Sequence, residues 1–360
     1  MGPVTRVAEA PEQEPASTGR DAGRGRLGLS ITLLVCIPVA ILLTWPQAFG
    51  AQQLPGIAQL IAFRAPLALA LLFAAIVAAA AFLLFRRRTR LLASIAAGIA
   101  VATLAASVGN SGVLLARGSS ETATGAAGLR DGDLTALVWN AQGGATSPAD
   151  VAALVLEVEA DVVSLPEMDE DAAAEVARLV ALEGMHLTPA TTRAVAGSVE
   201  ESWIPTSLLV ADELGAYELD EAAGSTPGLP SGVWRPADGD GPVIVAAHPA
   251  APLPKSMDDW RAGLQWIAEQ CSRFGSNIIL AGDLNATVDH LDLGRCQDAA
   301  VEATAASTGT WPSTVPAWLA SPIDHVLVGE AWSVLDARVP EPSASGGTDH
   351  RPIVAVLEAR

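Results

Sequence analysis

The stretch IILAGDLNAT, residues 278–287, places a short apolar run directly before an acidic and an amide side chain. Four apolar residues followed by a glycine predict a buried β-strand over residues 278–281. Asp283 and Asn285 stand where that strand ends. Both residue types also form ordinary turns, so this stretch by itself leaves open whether a turn or a functional site follows the strand.

The same arrangement recurs through the C-terminal part of the chain. Further strands are predicted at residues 134–139, 162–165, 207–210, 243–247, 325–328 and 353–357. Helices are predicted at residues 148–159, 169–182 and 258–274, the first with Ser147 as N-cap ahead of Pro148. Over residues 131–360 this alternation predicts one α/β or α+β domain with a buried core.

Six of the seven predicted strands in this domain carry, at one end, Asp283 or a polar residue of the set below. The set comprises Asn140 after LVW, Glu167 after VVSLP, His248 after VIVAA, Asp324 before HVLV, and Asp349 with His350 before the last strand. In an α/β scaffold, a site is assembled at strand ends from side chains that are distant in sequence. We therefore expect these residues to meet Asp283 and Asn285 in one site.

The residue types in this set favour metal-assisted phosphoester hydrolysis. Glu167, Asp283 and Asp349 offer the hard oxygen ligands that suit Mg²⁺ or Mn²⁺, rather than the thiolates or multiple histidines expected of a structural zinc site. An imidazole held by a carboxylate can take a proton from water, while the cation and amide donors stabilise charge on phosphoryl oxygens.

The order of these motifs resembles the signature of the endonuclease/exonuclease/phosphatase superfamily. The matching segments are VWNAQGG, LPEMD, VAAHPAAP, GDLNAT, IDHVLV and TDHRPIV. That superfamily includes pancreatic-type DNases, abasic-site endonucleases, neutral sphingomyelinases and inositol polyphosphate 5-phosphatases. The resemblance implies a four-layer sandwich, in which two packed β-sheets are flanked by helices and the site lies at one rim.

The resemblance also implies roles for individual residues. Glu167 corresponds to the main metal ligand, Asn140 to a helper near metal and phosphate, and Asp349 to a residue near the metal. Asp283 aligns or activates the attacking water and Asn285 binds phosphate in this scheme. One departure from the family pattern is Pro166, which stands where glutamine is common.

The histidines have implied roles of the same kind. His350 is the imidazole of a His–Asp pair oriented by Asp324, and His248 donates to a phosphoryl oxygen or to the leaving group. Which histidine is the acid and which the base stays open at this point.

The N-terminal third of the chain has a different composition. Residues 27–45, 65–85 and 91–108 are uncharged and apolar, and each is close to the roughly 20 residues that span a bilayer. A mean hydropathy of +0.36 over the whole chain agrees with a part that lies in lipid. We predict three transmembrane helices. The alternative for the first, a cleaved signal peptide, lacks a clear small-residue cleavage site.

Charge predicts the orientation of these helices. Arg6, Arg20, Arg24 and Arg26 precede the first span, and Arg86, Arg87, Arg88 and Arg90 lie between the second and third. By the positive-inside rule, the N-terminus is cytoplasmic and the C-terminal domain is extracytoplasmic. The predicted organisation is a disordered tail at 1–26, a membrane anchor at 27–108, a flexible linker at 109–132 and a catalytic domain at 133–360.

The C-terminal domain is strongly acidic, which bears on its substrate. Residues 131–360 hold 10 Lys and Arg against 35 Asp and Glu, a net charge of −25. A nuclease needs clustered cations along the nucleic-acid backbone, so this composition disfavours one. We therefore favour a lipid head group or small phosphoester as substrate over nucleic acid. A catalytically inactive binding module is a third reading, and no protein partner can be inferred.

Two of the three cysteines lie in the C-terminal domain. Cys271 and Cys296 form one disulfide if the domain is in an oxidising compartment, and are two buried thiols otherwise.

Overall fold

The computed structural model describes residues 17–119, 133–192, 203–340 and 347–360. The chain divides into two compact units. The first unit comprises Met1–Leu42 and Leu69–Val108, and the second comprises Leu43–Ala68 and Gly109–Arg360. Residues 1–16 of the predicted tail and 120–132 of the predicted linker lie outside the described residues.

Three long helices are apolar enough to cross a membrane. They are α1 (Ser17–Thr44), α3 (Arg64–Phe85) and α4 (Arg90–Arg117), and their apolar windows have mean hydropathies of 2.5, 2.9 and 2.2. A short helix, α2 (Ile57–Ala62), lies between the first two. Large apolar side chains such as Leu34, Phe73 and Val101 are exposed on these helices, as expected of surfaces that face lipid.

Two predicted boundaries differ from the structure. Helix α1 already begins at Ser17, inside the predicted disordered tail, because a helix formed over the apolar span propagates into flanking residues that contain no proline. Helix α4 continues to Arg117, past the predicted start of the linker at residue 109. The low helix propensity of Gly109 to Gly112 is overridden there by the tertiary contacts of Asn110 and Leu114.

In its described residues, the second unit contains twelve strands in two sheets. In chain order they are β1 (Leu134–Val138), β2 (Val162–Pro166), β3 (Leu187–Thr191), β4 (Thr206–Ala211), β5 (Tyr217–Leu219), β6 (Gly232–Pro236), β7 (Val243–Ala247), β8 (Ile278–Asp283), β9 (Gln297–Asp298), β10 (Asp324–Val328), β11 (Trp332–Arg338) and β12 (Ile353–Ala359). The order in one sheet is β11-β12-β1-β2-β4-β3, and in the other β5-β6-β7-β8-β10-β9.

Helices cover the outer face of each sheet. Helices α5 (Pro148–Val158) and α6 (Glu170–Leu182) pack on the first sheet, and α7 (Met257–Phe274) packs on the second. A short helix, α8 (Ala299–Glu302), lies after β9. Between the sheets, Val138, Ile244, Ile279 and Val326 belong to one fully buried core. The predicted four-layer sandwich is therefore confirmed.

The topology brings the strand ends of both sheets to one rim. β1 and β2 are parallel, as are β7 and β8, so the residues after all four strands lie at their carboxyl ends. The antiparallel neighbours β12 and β10 begin where β1 and β8 finish, with Val138 opposite Ile353 and Asp283 opposite Asp324. This register places residues far apart in sequence next to one another.

The strands that sequence patterns did not predict are mainly edge or short strands. β3 carries Pro189 within an edge strand, and β6 begins with Gly232 and ends with Pro236. β11 alternates poorly because a register shift interrupts its pairing between Val334 and Asp336.

In the helical layer of the second sheet, Cys271 of α7 is bonded to Cys296. This is the disulfide that the sequence predicted for an oxidising compartment.

Candidate active site

Strained backbone surrounds the rim where the strand ends meet. Of the five non-glycine residues with positive φ in the described chain, Gln142 (49°), Glu167 (59°) and Asn285 (47°) lie here. Left-handed backbone is costly for residues with a Cβ and persists only where the surroundings fix it. The Ala141 amide donates to the Pro166 carbonyl at 2.9 Å, and the Gly143 amide donates to that of Glu167 at 3.0 Å. These two bonds fix the turn that carries Glu167.

Asn140 connects the carboxylates of the two sheets. Its Nδ2 donates to Glu167 Oε1 and to Asp283 Oδ2, both at 3.0 Å, while its Oδ1 accepts from the Gln142 amide at 2.9 Å. The amide nitrogen therefore faces the carboxylates. Asn140 is fully buried, so its contacts fix the separation of Glu167 and Asp283.

His350 forms a pair with Asp324. Its Nδ1 lies 2.9 Å from Asp324 Oδ2, and its Nε2 lies 3.7 Å from Asp283 Oδ2 and 3.8 Å from Asp349 Oδ1. Burial disfavours the imidazolium, but the charges of Asp324 and Asp283 outweigh burial and raise the pKa of His350 to about 10. The ring is therefore protonated at neutral pH in this arrangement.

His248 is the opposite case. Its Nε2 lies 3.8 Å from both Glu167 Oε1 and Asp283 Oδ2, and the residue is buried. Burial lowers the pKa of His248 to about 4, which outweighs the attraction of Asp283. Its backbone amide donates to Ser231 Oγ at 2.8 Å, and its Nδ1 has no hydrogen-bond partner among the described residues. His248 is thus a neutral imidazole held by its backbone.

Three carboxylates share this small volume. Burial raises the pKa of Glu167, and the neighbouring charges of Asp283 and Asp349 raise it further. Burial and the charge of Asp324 likewise raise the pKa of Asp283. A divalent cation relieves this kind of repulsion, so the oxygen donors of Glu167, Asp283 and Asp349 fit the hard cation that the sequence predicted.

A second grouping could also hold a cation by geometry alone. Ligand atoms of Asp283, Asp324 and His350 all lie within 4.8 Å of one another. The hydrogen bond between His350 Nδ1 and Asp324, however, already occupies that nitrogen. We therefore interpret this grouping as a histidine oriented by a carboxylate.

Asp349 is positioned by residues that the sequence did not indicate. Trp311 Nε1 donates to Asp349 Oδ2 at 2.8 Å, and the Asp349 amide donates to Gln142 Oε1 at 2.9 Å. The Arg351 guanidinium donates to the carbonyls of Ser313 and Val315, which holds the loop after Trp311. Trp311 lies in a stretch without a predicted element, and no sequence signal distinguishes it from the other tryptophans.

Asn285 lies at the rim but directs its amide elsewhere. Its backbone amide donates to Asp283 Oδ1 at 2.8 Å, and its Nδ2 donates to the Pro249 carbonyl at 3.1 Å. The side chain thus links the turn after β8 to the loop after His248. All seven predicted strand-end positions and Asp349 are therefore brought to one rim of the sandwich.

Six arginines of the second unit are paired with acids; Arg338 is buried, and the other five are at least partly exposed. The pairs are Arg178–Glu175, Arg235–Asp220, Arg273–Asp220, Arg261–Asp258, Arg295–Glu330 and Arg338–Asp336. In the part of the chain that the structure describes, these cations are spread over several surfaces and do not form one stripe. Such pairing is poorly suited to neutralising a run of phosphates.

Comparison with known proteins gives one family. The family model described as the endonuclease/exonuclease/phosphatase family matches residues 137–350. No curated protein matches the chain.

Some solved structures are similar to part of this chain at low identity. A functionally unknown conserved protein from Enterococcus faecalis is 15% identical, covering 63% of this chain and 100% of that one, with a TM-score of 0.47. Truncated Caenorhabditis elegans TDP2 is 15% identical, covering 64% and 100%, with a TM-score of 0.48. A Bacteroides thetaiotaomicron mannosyl-6-phosphatase is 15% identical, covering 62% and 99%, with a TM-score of 0.46. At these identities and TM-scores, neither a role nor a substrate of this chain follows from the likeness.

Proposed function

This chain belongs to the endonuclease/exonuclease/phosphatase family, and from that premise we propose that it is a membrane-anchored, metal-dependent phosphoester hydrolase with an extracytoplasmic catalytic unit. The observation that carries the proposal is the position of Asp283. Its Oδ2 lies 3.0 Å from Asn140 Nδ2, 3.7 Å from His350 Nε2 and 3.8 Å from His248 Nε2. One carboxylate therefore contacts donors from three separate parts of the chain.

Glu167 and Asp349 are the residues we assign to hold the cation, with Asn140 beside them. When bound, Mg²⁺ or Mn²⁺ supplies charge stabilisation at the phosphoryl oxygens. The remaining chemistry belongs to side chains. Asp283 accepts a hydrogen bond from the attacking water and orients it, because its carboxylate is fixed by Asn140 and by the Asn285 amide.

The two histidines differ in charge, which suggests different roles. His350, protonated and held by Asp324, donates from Nε2 to a phosphoryl oxygen or to the leaving group. His248, neutral and buried, donates a hydrogen bond to phosphate without adding a second positive charge. Asn285 contributes by fixing the loop that begins at His248.

The substrate we propose is a lipid head group or small phosphoester. The net charge of −25 over residues 131–360 and the pairing of surface arginines both disfavour a long polyanion. Tethering to a bilayer raises the effective concentration of lipid substrates at the site. Two alternatives remain to be separated by the experiment below. One is an endonuclease or exonuclease that acts on nucleic acid, and the other is an inactive binding module.

Support for the orientation comes from two features. Arginines 86, 87, 88 and 90 crowd the turn between the second and third spans, where the positive-inside rule favours the cytoplasm. The bond between Cys271 and Cys296 is of a kind that persists in oxidising compartments. A C-terminal alkaline phosphatase fusion should be active in cells, whereas a fluorescent C-terminal fusion with no phosphatase signal would contradict this orientation.

The function is tested with the full chain in detergent micelles and in phospholipid vesicles, with Mg²⁺ or Mn²⁺. We expect release of phosphorylated head groups or hydrolysis of a chromogenic phosphodiester, and little nicking of plasmid DNA. Nicking that exceeds both other activities would favour the nuclease. Equal inactivity of wild type and His350→Ala across substrates and metals would favour the binding module.

A further inference from the structure

The segment between the first two spans is fastened to the catalytic unit through Asp289. Arg64 Nε and Nη2 donate to the two oxygens of Asp289 at 2.7 Å each, and Arg117 Nη1 and Nη2 donate to the same oxygens at 2.8 and 2.7 Å. Asp289 and Arg64 are buried. Paired bidentate contacts of this kind are strong and geometrically specific. They fix this segment, residues 43–68, against the turn that follows β8.

Polar side chains of the segment also point toward the catalytic unit. Gln47 Nε2 donates to the Asp289 carbonyl at 2.9 Å, Gln53 Nε2 donates to the His290 carbonyl at 2.9 Å, and Gln59 Nε2 donates to the Pro252 carbonyl at 2.5 Å. Ala58 lies in the same core as Trp260 of α7. The inner face of residues 43–68 is therefore fixed to the rest of the second unit by glutamine hydrogen bonds and by buried apolar side chains such as Ala58.

The outer face of the segment is apolar. Trp45 is 63% exposed, Phe49 61%, Leu54 51% and Leu60 45%, and Leu253 of the adjoining loop is 60% exposed. We call these five side chains the apolar face. Three glutamines of the segment form hydrogen bonds to the catalytic unit while these large apolar side chains stay exposed, and such an exposed apolar group is unusual on a protein surface.

We propose that the apolar face lies in the interfacial layer of the bilayer. Trp45 directly follows Thr44, the last residue of α1, and α3 begins at Arg64, so membrane spans adjoin both ends of the segment. Tryptophan and other large apolar side chains are favoured at the level of the lipid head groups. The bilayer to which the segment is connected at both ends is therefore the surface that covers the apolar face.

This placement also bears on the substrate. The statement about substrate rests on the proposed function. Leu253 lies in the loop that begins at His248 and whose Pro249 carbonyl accepts from Asn285. The same loop contacts Gln59 of the segment through Pro252. A groove of about 490 Å³ between Gly56 and Leu253 also contains Lys255, the only lysine of the chain. A catalytic unit seated in this way draws its phosphoester from the lipid surface.

The test measures the depth of single labels in the full chain. In a Cys36→Ser background, Phe49→Cys and Leu253→Cys are labelled with an environment-sensitive fluorophore, and the protein is reconstituted into phosphatidylcholine and phosphatidylglycerol vesicles. Leu182→Cys, at the end of α6 and 69% exposed, is the matched control. All three positions are exposed, so substitution leaves the packing intact, and the measurement does not depend on activity.

We expect lipids that carry a quencher near the head group to quench the labels at positions 49 and 253 at least threefold more than the label at 182. Equal quenching at the three positions would overturn the proposal. It would also be overturned if the signal at 49 and 253 changed with the protein-to-lipid ratio rather than with the quencher, because a second copy of the chain would then cover the face. If the protein hydrolyses phosphoesters while its labels at positions 49 and 253 stay unquenched, the proposed function is supported and the placement of the apolar face in the bilayer is overturned.

Discussion

The imidazole of His350 lies 2.9 Å from Asp324 through Nδ1 and presents Nε2 to Asp283 at 3.7 Å. Asp324 and Asp283 face each other across the antiparallel pair β8 and β10. The register of two strands in one sheet thus sets the distance between the carboxylate that holds the histidine and the carboxylate that faces its other nitrogen. His350 comes from the loop just before β12 in the other sheet, so the site depends on how the two sheets pack.

Asp324→Asn should lower kcat by about 10²- to 10⁴-fold with little change in KM, because the amide fixes the tautomer and charge of His350 less well. The measurement is steady-state hydrolysis of the best substrate from the panel. The control is Asp336→Asn, which removes the β11 carboxylate that is paired with Arg338. This variant should keep the wild-type rate. Equal rates for the two variants would contradict the assigned pair.

Glu167→Gln should weaken Mn²⁺ binding at least tenfold, because a neutral amide of the same shape replaces the carboxylate that we propose as the main ligand. Titration calorimetry with Mn²⁺ on the full chain measures this directly and needs no substrate. Glu175→Gln is the matched control, since that glutamate is exposed on α6 and paired with Arg178. Unchanged Mn²⁺ affinity in Glu167→Gln would remove this residue from the cation site.

The parts of the fold that could be predicted from sequence are those with a strong local signal. β7 was predicted with its observed bounds because VIVAA is short, apolar and β-branched, and Ser147 was predicted as the cap of α5 from its place before Pro148. The polar residues after these strands could be grouped because parallel strands share an edge. Edge strands such as β3 lack that signal, since their pairing depends on a neighbour rather than on their own composition.

Trp311→Phe should reduce kcat about tenfold, because the indole donor that orients Asp349 is lost while the aromatic volume is kept. Loss of this part-buried hydrogen bond also costs about 1 kcal/mol of unfolding free energy. Trp332→Phe is the matched control, since its indole donates to Asn277 Oδ1 at 3.1 Å away from the site. We expect similar thermal shifts for both variants and a fall in kcat for Trp311→Phe alone. Parallel falls in kcat would contradict a positioning role.

Asp289→Asn should destabilise the second unit by about 3–5 kcal/mol at pH 7, because it leaves buried arginine charge without its partner. Burial alone would raise the pKa of Asp289, but the hydrogen bonds and charges of Arg64 and Arg117 outweigh it and hold the pKa well below its ordinary value. A depressed pKa contributes stability above the unfolded value of about 3.9, and this contribution is lost as pH falls toward the folded value.

The expected pH dependence follows from that sign. The difference in melting temperature between wild type and Asp289→Asn should stay constant from pH 7 to pH 5 and shrink as pH falls below about 4. Glu330→Gln, at an exposed pair with Arg295, is the control and should show almost no difference at any pH. A difference that grew on acidification would contradict the assignment of Asp289 as an ionised partner of the two arginines.

The contacts of Asp289 show what the sequence could not provide. Arg64 was visible only as a cation between two spans, and Arg117 and Asp289 had no motif. Their meeting depends on how the segment 43–68 folds back on the turn after β8, which is a long-range arrangement without a local pattern. The same holds for Trp311, whose partner Asp349 is 38 residues away. Local periodicity predicts elements, and strand order predicts which ends share an edge, but neither predicts contacts between loops.

The central claim, that the strand-end residues act as one catalytic centre, is tested most directly by a double-mutant cycle on hydrolysis. Asp283→Asn and His350→Ala are measured singly and together in the full chain, against the wild type and His186→Ala as control. Residues of one centre have strongly non-additive effects, so the double variant should be no more than about threefold slower than the slower single variant. Independent effects that multiply in the double variant, or single variants that keep the wild-type rate, would contradict the account.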